Sequence, residues 1–134
     1  MRDMRQDELE RAELVKAGGT VTANKKTDAA LIAWAKARHR AELIDRRTRW
    51  GNPYRITRAM KRADVIAAYA QHFARLPHLH RDLGTLRGKV LVCWCYPQAC
   101  HGDVLIDALQ RATTAQEGRE RAGERDCTTE EATQ

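Results

Sequence analysis

Aromatic residues are scarce: three Trp, three Tyr and a single Phe in 134 residues, 5% of the whole. Aliphatic side chains must therefore do most of the packing, and Ala, Leu, Val and Ile dominate the 43% hydrophobic fraction. No apolar run approaches the roughly 18 residues that a membrane span requires. The segment Met1 to Leu9 alternates charges and has no apolar stretch of the kind found in secretory signals. A spread disulfide framework is missing as well, since three of the four cysteines crowd between residues 93 and 100. These absences exclude a membrane protein, a secreted miniprotein and a repeat array. They predict a cytoplasmic chain whose thiols stay reduced and free for chemistry or ligation.

What is present is length for one domain and an uneven distribution of charge. The formal net charge is +6, yet residues 111–134 carry −2 and residues 1–110 carry +8. Between Lys36 and Arg62, ten Lys/Arg face only Glu42 and Asp45. A strip of that density attracts polyanions or phosphorylated small molecules; the bland reading is a solvated face.

The pattern predicts a helix over residues 7–17, ended by Gly18 and Gly19. Its apolar stripe (Leu9, Ala12, Val15) is thin, which leaves packing on its own chain or on a second copy open. A short β-branched strand follows at 20–24. Next comes a helix from Ala29 to Arg38, capped by Thr27 or Asp28, with Leu31, Trp34 and Ala35 on one face. Residues 41–45 read as a second strand, so this segment is a strand–helix–strand unit of the kind that builds parallel sheets. Residues 46–60 form an ordered loop rich in turn chemistry. A helix over 63–76 carries Ile66, Tyr69, Ala70, Phe73 and Leu76 in step, and Pro77 stops it. Residues 79–86 connect it to the clearest strand, 89–95, whose near-continuous apolar run suits a strand covered on both faces. A last helix spans 102–111. The polar stretch from Thr113 onward reads as disordered, and its Cys127 receives no role.

Reactive groups are densest at Cys93, Cys95, Cys100, His101 and Asp103. Zinc is the cofactor that such soft ligands would favour. Two points stand against a simple four-ligand site: Cys93 and Cys95 share one face of a strand, and Cys100 and His101 are adjacent. The spacing also misses the usual zinc-finger patterns, and Cys93 in a core strand reads as a small hydrophobe. A second reading follows from position. Ligand sites of open α/β sheets lie beyond the carboxyl ends of strands, where a helix start binds phosphate and lowers thiol pKa values. There Cys100 could supply a thiolate and His101 an acid/base, with Cys95 counted beside them among the catalytic candidates. Asp103 could orient the imidazole or merely favour the helix dipole.

The other candidate is the loop Arg46-Arg47-Thr48-Arg49-Trp50-Gly51-Asn52-Pro53-Tyr54. Arg46, Arg47 and Arg49 suit phosphate, Gly51 permits close backbone approach, and Trp50 offers a flat face for a base. Asn52 could read a base or ribose edge. The alternative is a structured turn with Trp50 plugging the core. Trp34 reads as core, and His72, His78 and His80 as surface.

Two runs together resemble a known family. Trp50-Gly51-Asn52-Pro53-Tyr54 is followed by Leu86-Arg87-Gly88-Lys89-Val90-Leu91-Val92-Cys93-Trp94-Cys95 and by Pro97-x-x-Cys100-His101-Gly102-Asp103-Val104-Leu105. Over residues 41–110 this resembles the bacterial and phage family termed domain of unknown function 4326, with Tyr54 where Phe is more usual. The stretch before Arg46 resembles the leading part of longer phage and actinobacterial members. The resemblance implies a small α/β domain with a shared site at Trp50, Asn52, Cys95, Cys100, His101 and Asp103. It also implies a context of nucleotide or DNA metabolism.

The expected fold is a single three-layer, Rossmann-like α/β domain over residues 20–111, with three to five mostly parallel strands. Residues 1–19 add a helix and its cap, and residues 112–134 a tail. The expected function is binding, and processing, of a nucleotide or nucleic-acid base, with no membrane partner. The alternative is a non-enzymatic DNA- or host-protein-binding module whose CWC…CH segment is structural and zinc-stabilised. A third is an interaction protein using the first helix and the basic strip.

Overall fold

A computed structural model describes residues 3–112. The polar stretch from Thr113 and its Cys127 lie outside them. In chain order the elements are α1 (Gln6–Lys16), β1 (Val21–Asn24), α2 (Ala29–Ala37), β2 (Ala41–Leu43), α3 (Arg62–Ala74), α4 (Pro77–Asp82), a 3-10 turn (Leu83–Leu86) and β3 (Val90–Cys93). A final helix, α5, occupies 101–112. The connector read as 79–86 is thus largely helical, with Pro77 opening α4 where it needs no N–H partner. No helix among the described residues is long and apolar enough to cross a membrane.

The three strands are all parallel and run in the order β1-β3-β2. Val21 lies opposite Val90 on one side of the central strand, and Ala41 opposite Val90 on the other. The strand–helix–strand unit β1-α2-β2 therefore leaves a gap that β3 fills. Its apolar run answers that position, and all four of its residues are buried. The strand is shorter than the expected 89–95, so Trp94 and Cys95 lie beyond its carboxyl end.

Alternation along β3 divides the core in two. Val90 and Val92 pack with Ala12 and Val15 of α1 and with Leu31, Ile32, Trp34 and Ala35 of α2. Leu91 and Cys93 face the other way, onto Tyr69 and Phe73 of α3, Leu79 of α4 and Leu105 and Leu109 of α5. Passage from β1 to β2 crosses the sheet in one direction and β2 to β3 returns. Right-handed crossovers then put α2 and α3 on opposite faces. The buried stripe of α3 is Val65, Tyr69 and Phe73. Ile66 is only half-buried, and Ala70, expected inside, is exposed.

α1 docks on its own chain, and it does so mainly through polar groups. Leu9, expected in its stripe, is exposed, as is Leu14, while Glu8, Arg11, Ala12 and Val15 are buried. Asp28 occupies the N-cap position of α2 yet makes no side-chain cap. That service comes from another helix: Glu8 Oε2 accepts the Leu31 N–H at 2.9 Å. Asp28, fully buried, instead takes both guanidinium nitrogens of Arg11, at 3.0 and 3.1 Å. It also accepts the Asn24 N–H at 2.7 Å and a nitrogen of Arg5 at 2.5 Å. Arg11 further donates to the Thr22 carbonyl at 2.9 Å.

Burial alone would raise the pKa of Asp28, but the hydrogen bonds from Arg11, Asn24 and Arg5 outweigh it and hold the carboxyl below its ordinary value. A depressed folded-state pKa contributes stability in full above the unfolded value of about 3.9, and that contribution fades as pH falls below it. Asp28→Asn should therefore cost about 3–5 kcal/mol at pH 7, because it strands the Arg11 charge. The gap to wild type should narrow at pH 3. Urea unfolding of both proteins at the two pH values checks this, and an equal gap at both would contradict it.

Candidate functional site

The end of β3 brings three sulfurs together. Cys93 is the last strand residue, Cys95 lies two residues past it, and Cys100 immediately precedes α5. Cys93 Sγ and Cys100 Sγ are 3.6 Å apart, and all three sulfurs lie within 4.8 Å of one another. Cys93 and Cys100 are buried and Cys95 is half-buried. The Gly102 N–H donates to Cys100 Sγ at 3.3 Å.

The three thiols differ in their electrostatic surroundings. The nearby sulfurs of Cys100 and Cys93, with the Arg62 guanidinium, outweigh burial and act to lower the Cys95 thiol below its ordinary range. Cys100 is pushed up by its contacts with Cys93 and Cys95 and by burial. For Cys93 the contact with Cys100 acts downward, but Cys95 and burial prevail and raise it. The shifts thus run in opposite directions, down at Cys95 and up at Cys100.

His101 opens α5 with its ring buried. Nε2 lies 2.6 Å from the Ile44 carbonyl, which can only accept, so Nε2 carries the proton. Burial lowers the imidazole pKa against the pull of that carbonyl, which favours the uncharged ring. It also meets Tyr69 edge-on, with centroids 5.0 Å apart. Asp103 reaches back to the Cys100 N–H at 3.0 Å, which is the helix-start reading of that residue; no bond joins it to the imidazole. Gly102 is required by space, since a Cβ there would stand 2.7 Å from Thr22 Cγ2 and 3.0 Å from Ile44 Cδ1.

The second expected candidate folds differently from its base-stacking reading. Trp50 is 2% exposed and belongs to the core, with the Arg49 guanidinium 4.9 Å from its ring centroid. Tyr69 OH donates to the Trp50 carbonyl at 2.8 Å, and burial leaves the Trp50 ring no free face to offer. Gly51 presses on the backbone of its own chain: a Cβ would stand 2.4 Å from the Asp45 carbonyl oxygen. Asn52 spends its side chain on the Val65 carbonyl and the Tyr54 N–H. Arg47 pairs with Asp45 and Arg49 with Asp82. Arg46 donates to the carbonyls of Asn52 and Tyr54.

Between this loop and the sulfurs opens a cleft of about 380 Å³. Its floor includes Cys93, Cys95, Cys100 and His101, and Arg46, Arg55 and Arg62 contribute cations. Arg62 also donates to the Ala99 carbonyl at 3.1 Å, fastening α3 to the loop before α5. Trp94, half exposed, stands at the mouth with Lys25 Nζ 5.4 Å from its ring centroid. The cleft's carboxylate, Asp45, is engaged by Arg47, which holds its pKa down. Of the residues expected here, the structure brings together Arg46, Asn52, Cys95, Cys100 and His101. It leaves Arg47, Arg49, Trp50, Gly51 and Asp103 out of the lining. Arg55, Arg62 and Trp94 were missed as site residues. The two arginines lie within the basic strip, and Trp94 lies inside the cysteine motif.

A family model described as Domain of unknown function (DUF4326) matches residues 29–111, from the start of α2 into α5. No curated protein and no solved structure matches the chain.

Adding a methyl group at Gly51 must displace backbone, whereas a Cβ at Gly84 meets nothing within 4 Å. Gly51→Ala should lose about 1–3 kcal/mol, and Gly84→Ala should stay within about 0.5 kcal/mol of wild type. Denaturant midpoints measured side by side decide this; equal midpoints for the two variants would refute the close approach.

Proposed function

We propose, for a chain that belongs to the domain of unknown function 4326 family, that the cleft at the carboxyl ends of β2 and β3 binds a nucleotide and processes it at the sulfur cluster. The observation that carries this is the cleft's composition. Three arginines face a single carboxylate that is already engaged, an exposed indole stands at the mouth and thiols form the floor. Its volume falls in the range of small-ligand sites. In this reading Arg55 and Arg62 take the phosphate, in the bidentate manner of guanidinium, and Arg46 adds to their field. The base lies against Trp94. Cys95 and Cys100 face the reacting end, while His101 and Asp103 position them through the Ile44 carbonyl and the Cys100 N–H. Trp50, Gly51 and Asn52 hold the loop in shape.

The winding of the sheet supports a Rossmann-like assignment, since direction reverses at β2 and helices cover both faces. Sites of that class lie beyond the carboxyl ends of strands. A reducing cytoplasm suits free thiols at a working site. The burial of Cys93 and Cys100 favours a second reading, in which the CWC…CH segment is structural and the basic surface binds DNA or a host protein.

Calorimetric titration with nucleoside monophosphates, the parent nucleosides and inorganic phosphate tests the first reading. Among the described residues Arg55 has no ion-pair partner of its own, so Arg55→Ala should weaken monophosphate binding about 10–100-fold without unfolding the chain. Rising salt should weaken it as well, and Arg49→Ala should leave it unchanged. Nucleosides should bind less tightly than their monophosphates. If no nucleotide binds, and duplex DNA binds with Arg47 and Arg49 as important as Arg55, the second reading replaces the first.

A further inference from the structure

We infer that Cys93, Cys95 and Cys100 together form a binding site for one zinc ion, with its fourth coordination position open to the cleft. Zinc held by sulfur at about 2.3 Å in a tetrahedron requires sulfurs about 3.8 Å apart. Cys93 and Cys100 already meet that spacing at 3.6 Å. Cys95, within 4.8 Å of both, needs a movement of about 1 Å to complete the triangle. It can make that movement, because it is half-buried and lies past the end of β3 rather than in the ladder.

The surroundings suit such an ion. Three thiolates and one Zn²⁺ carry a net charge of −1. Facing that charge are the guanidinium of Arg62, fastened to Ala99, and the amino end of α5, whose Gly102 N–H already points at Cys100 Sγ. N–H donation to a ligating sulfur is the kind of outer contact that orients metal ligands. His101 does not close the site with Nε2, which is committed to the Ile44 carbonyl. All three cysteines border the cleft, so the remaining position faces whatever occupies it. Three protein ligands plus one exchangeable position is the arrangement of catalytic rather than purely structural zinc. The site stands independently of the nucleotide reading; if both hold, the ion lies where the ligand's reacting end would be.

The test uses the full chain purified without added metal or chelator. Elemental analysis should find about one zinc per chain. Replacing it with Co²⁺ should give the intense visible bands of a tetrahedral ion together with sulfur-to-cobalt charge transfer. Cys95→Ser, at a half-buried position, should keep the fold by circular dichroism and lose most of the metal. Cys127→Ser should keep it, and so should Arg55→Ala, which separates failure of the metal site from failure of the nucleotide reading. Addition of imidazole should shift the cobalt bands by entering the open position. The inference is overturned if the fully reduced wild-type chain carries no zinc and shows no sulfur-to-cobalt charge transfer, or if Cys95→Ser retains the ion. Loss of the ion in Cys127→Ser would overturn the open position.

Discussion

The pairing of Arg11 with Asp28 is the contact on which the rest of the molecule leans. Two opposite charges leave water together, and the cost is met only because each is saturated with further bonds. Asp28 accepts from Arg11, Arg5 and the Asn24 N–H, and Arg11 donates also to Thr22. Through them α1, the end of β1 and the start of α2 become one unit. The tie extends to the site. The Arg11 guanidinium lies 3.9 Å from the ring centroid of Tyr96, and the Asn24 side chain donates to the carbonyls of Trp94 and Tyr96. The loop that carries Cys95 is thus steadied by α1 and β1, which precede the segment matched by the family model.

The cleft combines a stiff floor with a more adaptable rim. The floor includes groups whose options are spent, His101 on Ile44 and Asn52 on Val65, and Asp103 behind it holds the Cys100 N–H. The rim is made of side chains with solvent-facing surface, among them Arg55 and Trp94. Such a division suits recognition of a ligand with one end held in fixed geometry and another end tolerated in several.

Much of this was legible in the sequence because it depended on local pattern. The apolar run from Val90 to Cys93 marked a covered strand, and the spacing of Leu31, Trp34 and Ala35 marked the inner face of α2. Position alone put the cysteines at a strand's carboxyl end. What escaped depended on partners distant in the chain. Glu8 and Arg11 look like surface residues of a polar helix, and only Leu31 and Asp28, 23 and 17 residues on, reveal them as buried. The two tryptophans illustrate the same limit. Trp50 offers no periodicity by which to judge its burial, and the turn at Gly51 drives it inward. Trp94 sits in an apolar run, yet β3 stops one residue before it. In sequence Arg47 and Arg49 look like Arg55 and Arg62, but the fold gives the first two to Asp45 and Asp82 and sets the other two along the cleft.

The central place of β3 governs how the molecule can assemble. β1 and β2 have no bonds to each other; both ladders run to a strand that begins at Val90. The sheet therefore cannot begin to form until residues 90–93 have left the ribosome, and the closing contact joins Val21 to Val90 across the length of the intervening helices. Such non-local pairing slows folding relative to a helical bundle of similar size. Until it is complete, β1 and β2 both present unpaired edges. The sulfur cluster hangs from the end of that joining strand, so the sheet that supports it is complete only when β3 has entered between its two neighbours.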